Sequence, residues 1–147
     1  MGDGTAVGFV GLGNMGVPMA SAVAAGGWRV LGYDSSPAAR GNAAAAGVEI
    51  VDELDDVTAV YTLVVVLPNS DIVEAVLVDG GVVDRMRSGT TIIDMGSSEP
   101  SRTRQLVASA AARDIAFLDA PVSGGVLAAR AATLAIMVGG DPDVVDA

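Results

Sequence analysis

The chain has no cysteine, no histidine and no lysine; its eight positive charges are all arginine. Without cysteine there is neither a disulfide framework nor a thiolate metal site. Without lysine and histidine, the two side chains most readily tuned to move protons near neutral pH are missing, so these residues lack the usual catalytic acid or base. Aromatic residues make up only 3% of the 147. Eighteen acidic residues against eight arginines leave a net charge of −10. Such a chain, with no basic patch, is a poor partner for nucleic acid. No apolar run reaches the roughly 18 residues that would span a bilayer. The opening MGDGTAVGFVG has no basic stretch ahead of an apolar one, so neither a membrane span nor a signal peptide is expected and the cytoplasm is the default location.

What is abundant is small and apolar. Hydrophobic residues are 51% of the chain, and short β-type runs alternate with alanine-rich stretches. Strands are expected at Ala6–Val10, Arg29–Tyr33, Val60–Leu67, Thr90–Met95, Ile115–Asp119 and Thr133–Val138. Helices are expected at Asn14–Ala25, Pro37–Ala46, Asp71–Leu77 and Pro100–Ala112, with glycines closing the first two and a proline opening the last. Continuous Val/Ile/Leu runs separated by helices are the pattern of a parallel sheet covered on both faces. The expected fold class is therefore α/β, a Rossmann-type, doubly wound and mostly parallel sheet. Residues 1–147 are read as one dinucleotide-binding domain.

The first strand runs directly into Gly11-Leu12-Gly13-Asn14-Met15-Gly16, a G-x-G-x-x-G loop that opens a helix. In that place backbone N–H groups and the helix N-terminus can receive a diphosphate. Asp34 closes the second strand, where a carboxylate can accept hydrogen bonds from a ribose diol and repel a 2′-phosphate. NAD is favoured on that ground, while Arg40, six residues on, keeps NADP open. Late in the chain, DAPVSGG (residues 119–125) follows an apolar strand with a rigid Ala-Pro, one hydroxyl and two glycines. It reads either as a plain turn or as a polar surface that holds a ligand.

Taken together, GFVGLGNMGVPMA, VVVLPN at 64–69, DAPVSGG and TLAIMVGG resemble the β-hydroxyacid dehydrogenase family, the group of 3-hydroxyisobutyrate and 6-phosphogluconate dehydrogenases. The resemblance covers residues 6–140. It implies that Gly11, Leu12, Gly13, Asn14, Met15, Gly16, Asp34, Leu67, Pro68 and Ser97 contact NAD or NADP. It also implies that Ser123, Gly124 and Gly125 anchor a small-molecule carboxylate substrate, a 3-hydroxy acid. The stretch Asp94-Met95-Gly96-Ser97-Ser98-Glu99-Pro100 departs from the family pattern by placing glycine, at 96, where serine is common. The resemblance further implies a catalytic lysine beyond Ala147, in a helical second domain through which the parent enzyme would form a homo-oligomer. No catalytic residue is expected within these 147, and the fragment alone is expected to be inactive. Two other readings stay open: an imine-reductase-like oxidoreductase on the same fold, and a nucleotide-binding module without catalysis. No metal is called for by any of these readings.

Overall fold

A computed structural model describes residues 6–147; the part of the leader expectation that falls on residues 1–5 lies outside them. The elements run β1 (Ala6–Val10), α1 (Gly16–Ala25), β2 (Arg29–Tyr33), α2 (Pro37–Ala45), β3 (Glu49–Ile50), β4 (Thr62–Val65) and α3 (Ser70–Glu74). They continue with α4 (Val82–Arg85), β5 (Thr91–Asp94), α5 (Pro100–Ala111), β6 (Ala116–Asp119), β7 (Val122–Ser123), α6 (Gly125–Arg130), β8 (Ala135–Ile136) and α7 (Pro142–Val145). A 3₁₀ turn, Leu54–Ala59, precedes β4, and a π turn, Ala75–Asp79, prolongs α3.

Six strands pair in parallel in the order β3-β2-β1-β4-β5-β6, the doubly wound arrangement expected. Neighbouring residues of one strand face opposite sides of a sheet, so burial on both sides requires apolar residues at every position. Phe9 and Val64 enter one core with Met19 and Ala20 of α1, Ala43 of α2 and Ala129 of α6. Val10, Leu63 and Val65 enter the other with Val73 of α3, Val82 of α4, and Leu106 and Ala110 of α5. The register β1–β4, Val10 opposite Val65, sets the point where the strand order reverses.

Several expected boundaries shift. Helix α1 begins at Gly16 rather than Asn14, because Gly11–Met15 bend around the loop first. The Val60–Leu67 run is strand only over Thr62–Val65, since Leu67-Pro68 turns away toward α3, which Asn69 caps by accepting from Ile72 N–H at 3.0 Å. Thr133–Val138 does not join the main sheet. Only Ala135–Ile136 is strand, paired antiparallel with Val122–Ser123 in a separate two-stranded sheet. This leaves Ile136, Met137 and Val138 about half exposed, at 50%, 53% and 46%.

Four helices, α1, α2, α5 and α6, end on the same Schellman turn, in which two backbone N–H groups fold back onto the last carbonyls; after α5 the left-handed residue is Asp114, φ 56°. After α1, Gly27 takes the left-handed position with φ 95°, and after α2, Gly47 does so with φ 90°. After α6 the residue there is Ala132, φ 54°, with Thr133 N–H donating to Ala128 O at 2.9 Å. A Cβ in that region costs energy that glycine avoids. Ala132→Gly is expected to stabilise the fold by about 0.5–1 kcal/mol after the glycine's greater unfolded-state entropy is subtracted. Urea denaturation checks this; an unchanged or lower midpoint means the turn is not strained.

Candidate active site

The glycine loop is held in shape by its own backbone and by one carboxylate. Gly11 N–H donates to Tyr33 O at 3.0 Å, and Val17 N–H to Gly13 O at 3.1 Å, starting α1. The Asp34 carboxylate spans the turn: one oxygen accepts from Leu12 N–H and the other from Ser36 N–H, each at 2.8 Å. Ser36 then caps α2 by accepting from Ala39 N–H at 3.3 Å.

The three glycines of the loop do different work. Gly11 has φ 97°, and a Cβ on it would lie 2.1 Å from Val66 O. A Cβ on Gly16 would lie 1.9 Å from Gly11 O. Both bare positions are therefore demands of the fold. Around Gly13 there is nothing within 4 Å of where a Cβ would stand. No neighbour among the described residues explains that glycine, and it lines an open cleft.

That cleft, of about 560 Å³, lies beyond the C-terminal ends of the parallel strands, between β1 and β4. Such a crevice is where ligands of open α/β sheets bind. It gathers Gly11, Gly13, Asn14, Met15, Gly16, Asp34, Leu67, Pro68, Ser97 and Gly125 from five separate stretches of chain. Three expected residues stand apart from it. Leu12 turns its side chain into the core, 1% exposed, and offers the loop only its backbone. Ser123 and Gly124 are exposed beside the cleft without lining it, whereas their neighbours Val122 and Gly125 do line it. Ala147, the residue beyond which the lysine is expected, does not line the cleft either. It is exposed after α7 and stands with Tyr61, Thr62 and Thr91 at the starts of β4 and β5, the end of the sheet opposite the cleft. Sequence reasoning passed over Val66, Met95, Gly96 and Val122, which line the cleft as well. Their signal was adjacency to the ends of apolar strands.

The loop after β5 is built around a buried acid. Asp94 has no exposed surface; its carboxylate accepts from Gly96 N–H at 3.0 Å and from the Ser98 hydroxyl at 2.6 Å. Glycine at 96, the departure noted in the sequence, has a steric reason. A Cβ there would stand 2.6 Å from Leu67 O, so the loops after β4 and β5 are in direct backbone contact. Asp119 lies opposite Asp94 on β6. Burial, and then the nearby Asp94 charge, push its carboxyl above the usual range. Its backbone closes onto the β8 end through Asp119 N–H to Gly139 O, 2.9 Å, and Gly139 N–H to Asp119 O, 2.7 Å. Asp119 thus ties the DAPVSGG segment to the sheet.

Residues 6–147 match the family model for the NAD-binding domain of 6-phosphogluconate dehydrogenase. The chain belongs to that family. Among its relatives is 2-(hydroxymethyl)glutarate dehydrogenase of Eubacterium barkeri, 41% identical over 135 residues, 90% of this chain and 45% of that protein. The structure of 3-hydroxyisobutyrate dehydrogenase from Mycobacterium tuberculosis with L-serine superposes with a TM-score of 0.92 at 37% identity, covering 98% of this chain and 49% of that one. An imine reductase from a Pseudomonas species, at 17% identity and TM-score 0.82, shares the fold alone. The chain spans about half the length of the relatives it matches. It is an NAD(P)-binding Rossmann domain of the 6-phosphogluconate dehydrogenase family, and the residues lining its cleft fit a dinucleotide. A bare glycine faces open space where a diphosphate would approach the helix N-terminus, and a fixed carboxylate stands at the end of β2. No helix among the described residues is long and apolar enough to cross a membrane.

Proposed function

We propose that residues 1–147 form the cofactor half of an NAD-dependent dehydrogenase that acts on a small 3-hydroxy carboxylic acid. The observation that carries this reading is the convergence of the glycine loop, the Leu67-Pro68 turn, the Ser97 loop and the Val122–Gly125 segment on one cleft. The substrate class rests on DAPVSGG together with the two dehydrogenases above. The substrates in their names, like the L-serine of the superposed structure, share a hydroxymethyl group bonded to the carbon that bears a carboxylate.

Bound nicotinamide would supply a hydride acceptor at its C4 position. The chain's own residues bind and orient. Gly13 and Asn14 would take the diphosphate and Asp34 the adenosine ribose. Met15, Leu67, Pro68 and Ser97 would line the remainder of the cofactor, with Leu12 supporting the loop from behind. Ser123, with backbone N–H groups freed by Gly124 and Gly125, would hold the substrate carboxylate beside the cleft. The proton of the substrate hydroxyl needs an acceptor that no lysine or histidine of these residues can provide. We assign it to a lysine beyond Ala147, in the helical domain that the resemblance implies, and the proposed homo-oligomer to the same domain. The cytoplasm remains the proposed setting.

The preference for NAD is supported by two contacts. The Asp34 carboxylate is fixed at the end of β2, and the Arg40 guanidinium is already engaged, donating to Asp52 O at 3.3 Å. Parallel titrations of NADH and NADPH into the chain test this: tighter NADPH binding rejects it, and binding of neither rejects the dinucleotide reading.

The substrate role is tested in the intact protein. Ser123→Ala is expected to lower kcat/KM for a hydroxy acid by roughly 10- to 100-fold, the scale of a hydrogen bond to a charged group. The dissociation constant for NADH should hold, and an amide analogue should lose less than the acid. Equal losses for acid and amide would make the segment structural only.

A further inference from the structure

A dinucleotide brings two phosphate charges to a protein that is itself at −10. Among the described residues, those lining the cleft offer nothing to offset them: Asp34 is the one charged residue there, and it is negative. A second groove meets the cleft at Gly13 and Asn14, which line both, and continues along α1 past Ser21 and Asn42. Its far wall is α6, and among the described residues Arg130 is the one charged residue lining this groove.

Arginines of this protein are mostly engaged. Arg29 pairs with Glu49, Arg85 with Asp55, Arg102 with Asp71 and Glu74, and Arg113 with Asp84, while Arg40 holds the Asp52 carbonyl. Arg130 makes no hydrogen bond or ion pair among the described residues, despite the excess of acids. Arg87 and Arg104 are equally unengaged, but neither lines the cleft or this groove; Arg87 precedes β5 at the opposite end of the sheet, and Arg104 lies on α5. The α6 backbone that carries Arg130 packs on α1, the helix the loop opens into.

We propose that Arg130 is the cation that draws the cofactor's diphosphate onto the Gly13–Asn14 segment and offsets the negative charge of the rest of the chain. The inference rests on the dinucleotide reading above. It makes α6 part of the cofactor site through charge, a role the DAPVSGG segment that leads into it does not supply. Because Arg130 is exposed, its effect is screened by salt.

The test is NADH, ADP and adenosine titrated into wild type, Arg130→Gln and Arg130→Glu, at about 25 mM and about 500 mM salt, where the screening length falls several-fold. Arg130→Gln is expected to weaken NADH and ADP about two- to fivefold at low salt, the scale of one exposed charge pair. Arg130→Glu should weaken them about tenfold, with the repulsion added. At high salt the three proteins should converge, and adenosine, which has no phosphate, should bind all three alike. Equal NADH and ADP affinities at low salt overturn the proposal while leaving the dinucleotide reading intact. So does a loss that persists at high salt or extends to adenosine, because it would mean that Arg130 positions α6. A wild type that binds neither NADH nor ADP overturns both readings.

Discussion

Gly13→Ala is expected to leave the fold intact while weakening dinucleotide binding, and Gly16→Ala is expected to prevent folding. The contrast follows from distances within one loop. A methyl on Gly16 would stand 1.9 Å from Gly11 O, a backbone atom that cannot move without shifting β1 against α1. Overpacking of that kind costs more than about 3 kcal/mol, a large share of the stability of a domain this size. A methyl on Gly13 meets no protein atom within 4 Å, so circular dichroism and the denaturation midpoint should match wild type. The methyl projects into the cleft instead, at the place where backbone and diphosphate must approach closely, and NADH affinity should fall by about 10- to 100-fold, the cost of roughly 1.4–2.8 kcal/mol of lost contact. If Gly13→Ala binds NADH as wild type does, the diphosphate does not sit on this segment. If Gly16→Ala folds with wild-type stability, the close approach of loop and helix is not what the distances say.

Asp34→Asn is expected to lower affinity for NADH and NADPH together, with the larger loss for NADH. A carboxylate held only by a ribose would behave differently: losing its charge would weaken NADH and strengthen NADPH. Here both oxygens already accept backbone N–H groups at 2.8 Å. An asparagine has one acceptor oxygen, and its NH₂ would face the other donor, so one of the two braces of the turn is lost at a cost of about 0.5–1.5 kcal/mol. The loop that should receive the diphosphate loosens, which harms either cofactor. Titration of both cofactors into the variant, with a urea midpoint alongside, separates the two roles. A stable variant with improved NADPH binding would show that repulsion of a 2′-phosphate is the main work of Asp34 and that its brace is minor.

This double role marks where the sequence stopped being legible. The glycines and Asp34 could be read as a dinucleotide pattern because their spacing and their places after two apolar strands are local features. That Asp34 accepts from Leu12 could not, since the pair is 22 residues apart and depends on the β1–β2 register. The main sheet was legible for the same reason as the loop: strands buried on both faces need apolar residues throughout, and runs such as Leu63-Val64-Val65 carry that signature. Strand β3 was not, because Glu49–Ile50 is a two-residue edge segment without full burial. Helix α6 escaped because its residues GVLAAR lie between glycines and a second alanine pair, with no polar cap or clear periodicity. The Thr133–Val138 run looked like one more strand of the sheet, yet it follows a helix too short to carry the chain across the sheet and so turns back on Val122–Ser123. Gly96 looked like a loss of a hydroxyl. Only the neighbouring Leu67 carbonyl explains it.

The switch point between β1 and β4 has a consequence for how the protein comes into being. Val7 pairs with Thr62, and the residues between them must be gathered in before the second wall of the cleft exists. Closing so long a loop is entropically expensive and slow compared with forming the local turns of α1 and α2. An emerging chain that has reached the end of α2 already contains every glycine of the loop and Asp34, but not Leu67, Pro68 or Ser97. On the proposed cofactor contacts, capture would wait on β4 and β5 and come late, sealing the sheet's centre rather than nucleating it. Cofactor in the surrounding solution then acts chiefly on the unfolding side, slowing the opening of β1 from β4.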